Sequence, residues 1–344
     1  MIREVARRAG VSLGTVSRVI NGHSSVAAEL RARVQRAIDD LGYRPNVLAR
    51  GLRGGRTQSL GLVIPDVTNP FFSAMVLEVE QAASRAGYSV ILGNSMESRE
   101  AEALYIELLI SRQVDGLLIA PSVHTRSIEV PQGVPVVAIG RPLKGIPSVT
   151  IDNRKGAIKA VEYLLGLGHR DIACIAGPRV LSGASDRHRG YLDAAGRALR
   201  ASGIDPGDRT RFVAFDYESG YKAASELLAA DPRPTAIFAS SDQQAIGALR
   251  AAGDAGLEVP RDLSIVGFDN IPLTNLMTPR ITTIEMAAMG ERGVQVVLDI
   301  LVGKAVSIEQ QLGTTLIVRD SCAPPRSTGN RMARRKKLLP GAAK

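Results

Sequence analysis

Short apolar runs alternate with longer amphipathic stretches along most of the chain, from residue 60 onward. The runs show little polar alternation, which is typical of strands buried on both faces of a parallel sheet. They read LGLVIP, YSVILG, DGLLIA, VPVVAI, DIACIA, RFVAF, TAIFAS and LSIVGF. Helical patterns separate most of them, at 71–86, 99–112, 154–167, 186–201, 218–230 and 242–253. The alternation predicts a doubly wound α/β fold, and its length favours two sheets with a cleft between them.

A different, two-sided pattern occupies residues 11–21, VSLGTVSRVIN. Val16, Val19 and Ile20 fall at i, i+3 and i+4 and form one apolar stripe of a predicted helix. The opposite face carries small groups and the single cation of Arg18. Such a helix can be buried along one side while its first turn faces the major groove of DNA.

Two further helical segments flank this one. Residues 3–9 predict a short helix, and Gly10 follows it where a helix end favours a positive φ. Ser12 is a good N-cap for the next helix. A third helix is predicted at 30–41 and ends at Gly42. This is the layout of a helix-turn-helix unit, although the pattern alone is equally compatible with an ordinary three-helix part of a core.

The charge of the chain supports a nucleic-acid partner for the amino-terminal segment. The net charge is +9, but residues 1–59 hold eleven arginines, no lysine and four acids, which gives +7. Residues 321–344 hold seven basic residues and no acid, so the intervening residues carry −5. A cationic head on a mildly acidic body is typical of a protein that binds nucleic acid through the head.

The segment between head and body predicts a conditional helix. Residues 46–53 follow Pro45, which suits a first helical turn, and precede Gly54 and Gly55. Eight residues are too few for a stable isolated helix, which needs roughly 12–15. The segment is therefore a candidate for folding on binding, and the alternative is a disordered linker without a role.

Ordered motifs resemble one protein family along nearly the whole chain, to about residue 320. EVARRAGVSLGTVSRVINGHSSV, LGYRPN, ARGLRGGRT, IPDVTNPFF and IVGFDN are similar to motifs of the lactose/galactose-repressor family of bacterial transcription regulators. The resemblance implies a two-lobed, periplasmic-binding-protein-like effector domain with doubly wound parallel sheets, joined to a small all-α helix-turn-helix head and a hinge helix. It also implies a homodimer that binds double-stranded operator DNA and a small-molecule effector.

The resemblance implies the following division of the chain. The head comprises 1–43, the hinge helix and linker 44–58, and the effector-binding and dimerisation domain 59–320. Lobe one is expected at about 59–156 and 286–312 and lobe two at about 157–285 and 313–320, with crossings near 156, 286 and 313. Residues 321–344 are expected to form a basic disordered tail.

The DNA-binding residues implied by the resemblance lie in the second helix and in the hinge. They are Ser12, Leu13, Gly14, Thr15, Ser17, Arg18, Asn21, Asn46, Ala49, Leu52 and Arg53. In the family, a leucine at the position of Leu52 separates the central base step, as apolar wedges in the minor groove do.

Candidate effector contacts follow the apolar runs, because ligands of open α/β sheets bind beyond the carboxyl ends of the strands. Each acid or amide there is individually more typical of a helix N-cap, and Asp242 above all is expected to be a pure cap. The polar and aromatic groups in this set are Asp66, Asn69, Phe71, Phe72, Asn94, Ser95, Arg187, Phe215, Asp216, Ser241, Asp242, Gln243, Asp269 and Asn270. Their convergence predicts a site for a polyhydroxylated or planar small molecule.

The resemblance selects a smaller set within that list. Positions that touch effector in family members match Phe72, Ser73, Arg187, Phe215, Ser241 and Asp269. Arg187 and Asp269 are expected to face the ligand from opposite sides of the cleft. The chain departs from many relatives at Gly140, Leu181, Gly183 and Ser241, which implies a less polar pocket than a typical sugar site.

Several classes of function are disfavoured by what the sequence lacks. No apolar run reaches the 18 residues of a transmembrane helix, and the first residues contain no apolar core of a signal peptide, so a cytoplasmic protein without membrane association is expected. Cys174 and Cys322 favour free thiols over a disulfide. No cofactor or metal site is expected, and His169 is expected to be structural.

The combined prediction is a ligand-responsive repressor that binds a pseudo-palindromic operator as a dimer. Its effector is expected to be a sugar or a related metabolite. One alternative is a soluble solute-binding protein of a transporter, which the DNA-binding head and the missing signal peptide oppose. An enzyme is the other alternative, and the sequence contains no GxSxG, no P-loop and no GxGxxG after a strand.

Overall fold

A computed structural model describes residues 2–20, 25–43, 56–129 and 133–326. The head consists of three helices, α1 (Ile2–Ala9), α2 (Leu13–Ile20) and α3 (Ala28–Asp40). Val5, Val16 and Val34 are fully buried at their common centre. The apolar stripe of each helix is therefore used to hold the three helices together, which leaves the other face of α2 uncovered.

The first lobe is built on a six-stranded parallel sheet with the order β11-β5-β4-β3-β1-β2. The strands are β1 (Ser59–Ile64), β2 (Ser89–Asn94), β3 (Gly116–Ile119), β4 (Val136–Ile139), β5 (Ser148–Ile151) and β11 (Glu309–Leu312). Helices α4 (Pro70–Arg85), α5 (Arg99–Ser111) and α10 (Met289–Leu301) pack on this sheet.

The second lobe is built on a four-stranded parallel sheet with the order β7-β6-β8-β9. Its strands are β6 (Ile172–Ala176), β7 (Thr210–Phe212), β8 (Ala236–Ala239) and β9 (Ser264–Val266). Its helices are α6 (Asn153–Gly166), α7 (Ser182–Ala201), α8 (Tyr217–Leu228) and α9 (Asp242–Asp254), and the antiparallel pair β10 (Thr283–Met286) and β12 (Thr314–Ile317) packs on α6. The predicted doubly wound, two-lobed α/β fold is confirmed.

Three connections join the lobes. The first is at Asp152, which caps α6 by accepting a hydrogen bond from the Lys155 N–H at 3.0 Å. The expected crossing near 156 falls inside α6, whose following turn packs in the second-lobe core. The second connection is at residues 287–288, between β10 and α10, and the third is at Gly313, between β11 and β12.

The structure corrects three further expectations. Strand β2 is an edge strand rather than a strand buried on both faces, and Ile91 and Leu92 are each 40% exposed. Residues 56–58 are not linker, because the Thr57 and Gln58 N–H groups donate to the Asp115 carboxylate. Residues 321–326 are not tail, since Ser321 is buried and donates to the Ile265 carbonyl at 2.6 Å. The remainder of both segments lies outside the described residues.

Candidate functional site

A cavity of about 530 Å³ lies between the two lobes, beyond the carboxyl ends of their strands. Of the effector residues expected from sequence, Phe72, Arg187, Phe215, Ser241 and Asp269 all line it. Ser73 does not, which corrects that expectation: it is exposed, and its hydroxyl donates to the Val67 carbonyl at 2.6 Å. The short Ser73 side chain is held instead by the loop that precedes α4, since its hydroxyl also contacts the Asn69 carbonyl at 3.3 Å.

Arg187 and Asp269 form an ion pair at the second-lobe side of this cavity. Arg187 lies in the second turn of α7, and Asp269 follows β9, so both belong to one lobe rather than to opposite sides of the cleft. Their Nη1–Oδ1 distance is 2.9 Å, and the side chains are only 11% and 10% exposed. The guanidinium carbon also lies 3.7 Å from the centroid of the Phe268 ring, a cation–π contact.

Most of the hydrogen-bonding capacity of Arg187 is directed at the protein. Nε donates to Asn153 Oδ1 at 2.8 Å, and Nη1 donates to the Ser240 carbonyl at 2.6 Å as well as to Asp269. Nη2 lies 3.7 Å from Met286 Sδ. A guanidinium has five N–H donors, so one N–H of Nη2 remains for a ligand. The Asp269 carboxylate also accepts a hydrogen bond from the Asp242 backbone, and its two oxygens have further lone pairs for a ligand.

The loop that carries Asp269 has an unusual backbone. Asp269 has a φ of 114° and Asn270 a φ of 56°, and non-glycine residues rarely adopt these values. Asp242 fixes this loop, because its Oδ2 accepts from the Ile271 N–H at 2.8 Å and its Oδ1 from the Thr283 hydroxyl at 2.6 Å. Asp242 is therefore not a pure helix cap as expected; Ser241 caps α9 by accepting from the Gln244 N–H.

Burial changes the titration of both acids. Burial raises the pKa of Asp269 to about 6, and the Arg187 guanidinium opposes that rise. The pKa of Asp242 is raised well above its ordinary value, first by burial and then by the nearby Asp269 carboxylate. For Arg187, burial lowers the pKa and the two acids raise it. The three groups thus form one coupled unit.

The cavity also contains residues that the sequence patterns did not single out. Arg141 lines the cavity, and its Nη2 donates to the Pro121, Ser122 and Thr125 carbonyls. Burial lowers its pKa, and Glu97 and Glu102 raise it. Glu97 and three methionines, Met75, Met286 and Met289, also line the cavity. Arg141 follows the apolar run VPVVAI and could have been found by the same rule as the others, whereas no local signal indicates the methionines.

Positions at which this chain was expected to depart from many relatives also lie at the cavity. Gly140, Leu181 and Gly183 all line it, and Gly140 has a φ of 82°. Asn94 and Ser95 do not line it: Asn94 Oδ1 accepts from the Val67 N–H, and the Ser95 hydroxyl donates to the Ile64 carbonyl. Eighteen of the 28 lining residues are apolar, glycine or proline, so the wall is mainly hydrophobic.

Helix α2 presents a polar face at the surface of the head. Its N-cap Ser12 accepts a hydrogen bond from the Thr15 N–H at 3.2 Å, as the pattern predicted. Leu13, Gly14 and Arg18 are exposed, and Thr15 and Ser17 are half-buried. Gly10 has the expected positive φ, 61°. Asn21, Asn46, Ala49, Leu52 and Arg53 lie outside the described residues.

Comparisons with known proteins agree with the helical head and with the two-lobed body. Residues 1–46 match the family described as bacterial regulatory proteins, lacI family, and residues 161–322 match the periplasmic binding protein-like domain. The chain is 36% identical over 333 residues to the HTH-type transcriptional repressor CytR of Escherichia coli (strain K12), covering 93% of this chain and 95% of that protein. The chain belongs to the lacI family.

Other members of the lacI family are similar at comparable levels. Catabolite control protein A of Priestia megaterium is 37% identical over 292 residues, covering 82% of this chain and 86% of that protein. A structure of the lac repressor dimer bound to operator and the anti-inducer ONPF has 28% identity and a TM-score of 0.78, covering 94% and 99%. A CelR–cellobiose complex has 32% identity and a TM-score of 0.64, covering 93% and 99%.

His169 and Cys174 lie in the protein interior, away from the cavity residues described above. His169 is buried, and its ring nitrogens contact the Thr235 and Ser264 hydroxyls and the Ala323 carbonyl. Cys174 is a free, fully buried thiol, and burial raises its pKa. In the described part of the chain, no helix has the length and apolarity to cross a membrane. Within the same ranges, no cluster of three His, Cys, Asp or Glu side chains is arranged to hold a metal.

Proposed function

We propose that the protein is a repressor that binds a pseudo-palindromic operator as a homodimer, and that a small molecule in the interlobe cavity controls its operator affinity. The observation that carries the proposal is the contact set of Arg187, which lines the ligand cavity and touches the connections between the lobes. Repression takes place in the cytoplasm on chromosomal DNA, and the proposal includes no catalytic step.

The exposed face of α2 supports direct base reading by the head. Arg18 can donate two hydrogen bonds to a guanine, and Leu13, 40% exposed, can contact a thymine methyl. Gly14 lets the backbone of the first turn approach the bases closely. The hinge residues Leu52 and Ala49 are proposed to bind the minor groove, as the family resemblance implies.

Arg187 offers a physical route from ligand to lobe arrangement. Asn153, which accepts from Arg187 Nε, also donates from Nδ2 to the Ile151 carbonyl at 3.2 Å across the first connection. Met286 stands directly before the second connection, and it pairs in β10–β12 with Thr314, directly after the third. A ligand that engages Arg187 or Asp269 therefore acts on all three connections. Its different affinity for the two lobe arrangements is the source of control.

An exposed apolar surface of the first lobe supports the homodimer. We define the apolar edge as Leu77 of α4, Ile91 and Leu92 of β2, and Leu104 and Leu108 of α5, all at least 40% exposed. Strand β2 ends the sheet, so its outer side is open to a partner. In the second lobe, Leu276 is 76% exposed. Large apolar side chains exposed together on the elements at one edge of a sheet are typical of protein interfaces.

Selection of preferred operators from a random-sequence duplex library tests the DNA-binding part. The parent is expected to select an inverted repeat. Arg18→Ala should lose discrimination at one base pair of each half-site, worth roughly 1–3 kcal/mol. Arg36→Ala, on exposed α3, removes the same charge and should keep the parent preference. Unchanged preference for Arg18→Ala would place base reading elsewhere, and the absence of any inverted repeat would refute the dimeric operator.

A thermal-shift screen of the full chain with a metabolite library tests the effector part. A ligand raises stability by RT ln(1 + [L]/Kd), so a specific ligand should raise the unfolding temperature. The same compound should then change operator affinity in a filter-binding titration. A library without a stabilising compound, or hits that leave operator affinity unchanged, would contradict control by the cavity.

A further inference from the structure

We propose, on the basis of the function above, that the effector is an uncharged or cationic molecule that joins a hydroxyl-bearing end to a flat apolar body. A nucleoside and an aryl glycoside both have this chemistry. Free sugars lack the apolar body, and phosphorylated or carboxylated compounds carry the wrong charge. The inference rests on the charge, the hydrogen-bonding capacity and the hydrophobic wall of the cavity.

The charges that line the cavity disfavour an anion. Four carboxylates line it, those of Asp66, Glu97, Asp216 and Asp269, against two guanidinium groups. Among the described lining residues there is neither lysine nor histidine. A phosphate or carboxylate in this cavity would meet a net negative wall, and like charges repel strongly where water is partly excluded.

Neither arginine is free to serve as an anion receptor. Arg187 is neutralised by Asp269 and keeps a single N–H for a ligand. Arg141 uses Nη2 on three backbone carbonyls, and its Nη1 reaches the Val123 carbonyl at 3.5 Å. The buried Arg141 Nε has no partner within the described residues, and it offers a single N–H. A fork-shaped, two-bond grip on phosphate or carboxylate is thus not offered by either side chain.

The polar groups that remain suit hydroxyls. Arg187 Nη2 can donate and the Asp269 carboxylate can accept, so one hydroxyl or a neighbouring pair satisfies both. The amide of Gln243, a few residues after β8, lines the same lobe of the cavity and can both donate and accept. These groups lie at the second-lobe side, which is where the hydroxyl-bearing end of the ligand binds.

The rest of the wall suits an apolar, flat body. Phe72 and Met75 of α4 approach from the first lobe, Phe215 from the second, and Met286 and Met289 from the second connection. Aromatic rings and thioethers contact flat rings favourably, and methionine adapts its shape to them. A molecule with hydroxyls on every side would leave several of them facing this wall without partners.

Binding of two matched series to the full chain tests the inference. The first series is adenosine, ribose and adenosine 5′-monophosphate; the second is 4-nitrophenyl β-D-glucoside, glucose and glucose 6-phosphate. In at least one series, the uncharged conjugate should bind tighter than both the free sugar and the phosphorylated compound, by a factor on the order of ten or more. The series that binds distinguishes the nucleoside from the aryl glycoside.

A charge-neutralising variant tests the cause of that preference. Asp66→Asn combined with Glu97→Gln keeps the shapes and removes two negative charges from the wall. The ratio of affinities between the uncharged and the phosphorylated probe should fall about tenfold. Glu80→Gln, an exposed acid of α4 that does not line the cavity, should leave the ratio at the parent value. If the parent, the double variant and Glu80→Gln all show the same ratio of affinities, the charge of the wall does not select the ligand and the inference is overturned.

The outcomes separate this inference from the proposed function. Tightest binding by a phosphorylated probe, or by a free sugar, overturns the ligand class while operator control by the cavity stands. Binding by none of the six probes, together with an effector of another chemistry from the metabolite screen, also overturns only the class. A chain whose operator affinity responds to no compound overturns the function and this inference together.

Discussion

The Arg187 guanidinium donates four of its five N–H groups to protein atoms, and this changes what its substitution should do. From the sequence, Arg187 was expected to face the ligand opposite Asp269, but the two side chains form an ion pair that is nearly buried. Removal of one partner of a buried pair leaves an uncompensated charge, which is more costly than replacement of both.

Arg187→Ala is therefore expected to destabilise the body by roughly 3–5 kcal/mol, through the unpaired Asp269 carboxylate. Arg187→Met combined with Asp269→Leu should recover most of that loss, because neither member of the ion pair is then left as an unpaired buried charge. Urea unfolding of the parent, the single variant and the double variant measures the loss of stability and its recovery. If the double variant is no more stable than Arg187→Ala, the pair stabilises the lobe through more than charge compensation.

The raised pKa of Asp269, about 6, predicts a pH dependence of stability. The folded state binds this proton more tightly than the unfolded state, so the free energy of unfolding should fall as pH rises from about 4 to about 6, by on the order of 2 kcal/mol. Asp242, whose pKa is also raised, acts in the same direction.

Asp269→Asn should flatten this pH dependence, since the variant has no carboxyl at the position. Urea unfolding of parent and variant at pH 4.5, 5.5 and 7.0 gives the free energy of unfolding at each pH. The quantity to compare is the slope of that free energy against pH. Arg187 pairs with Asp269 in the parent and keeps its charge throughout this range, so it adds no proton of its own. Identical slopes in the two proteins would show that burial does not raise the pKa of Asp269.

At the scale of elements, the close approach of α6 and α7 depends on a glycine. A methyl group at Gly190 would overlap the Arg154 carbonyl oxygen and lie 2.9 Å from the Ala157 Cβ. These contacts are with backbone and a short side chain, which cannot move aside independently. Gly253, near the end of α9, has nothing within 4 Å of such a methyl.

Gly190→Ala is thus expected to cost about 1–3 kcal/mol in the free energy of unfolding, because it forces two packed helices apart. Gly253→Ala should instead gain roughly 0.5–1 kcal/mol, since alanine restricts the unfolded chain and favours helix. Denaturant unfolding of both variants and the parent measures these changes in the free energy of unfolding. A neutral Gly190→Ala would mean that α6 and α7 can shift without loss.

At the scale of the whole molecule, the apolar edge is expected to bury itself in a symmetric dimer. Leu104→Asp appears twice in such a dimer, and each buried leucine contributes roughly 1.5–3 kcal/mol. Dimerisation should therefore weaken by a factor of about 10²–10⁴. Sedimentation velocity of the full chain measures this, with Val180→Asp, 70% exposed on the second lobe, as the control. A dimeric Leu104→Asp would move the interface elsewhere.

Local pattern was sufficient for much of the fold. Eight apolar runs correspond to β1–β4 and β6–β9. For all of them except the edge strand β2, the reason is that buried parallel strands need an uninterrupted apolar sequence. Helix α10 and strands β5, β10, β11 and β12 were not predicted. In β11, EQQL, the exposed and half-buried side chains alternate, so an edge strand of this composition has no distinctive local signal.

The sequence by itself determined the helix-turn-helix head, the α/β alternation and the list of groups that follow the strands, since these depend on side-chain periodicity and on short motifs. Only the tertiary structure decided how those groups meet. It placed Arg187 against Asp269 within one lobe, turned Ser73 away from the cavity and made Asp242 a support of the Asp269 loop instead of a cap. The physical reason is that hydrogen-bond partners distant in sequence are fixed by the packing of strands and helices, and no local pattern records which acceptor a donor will reach.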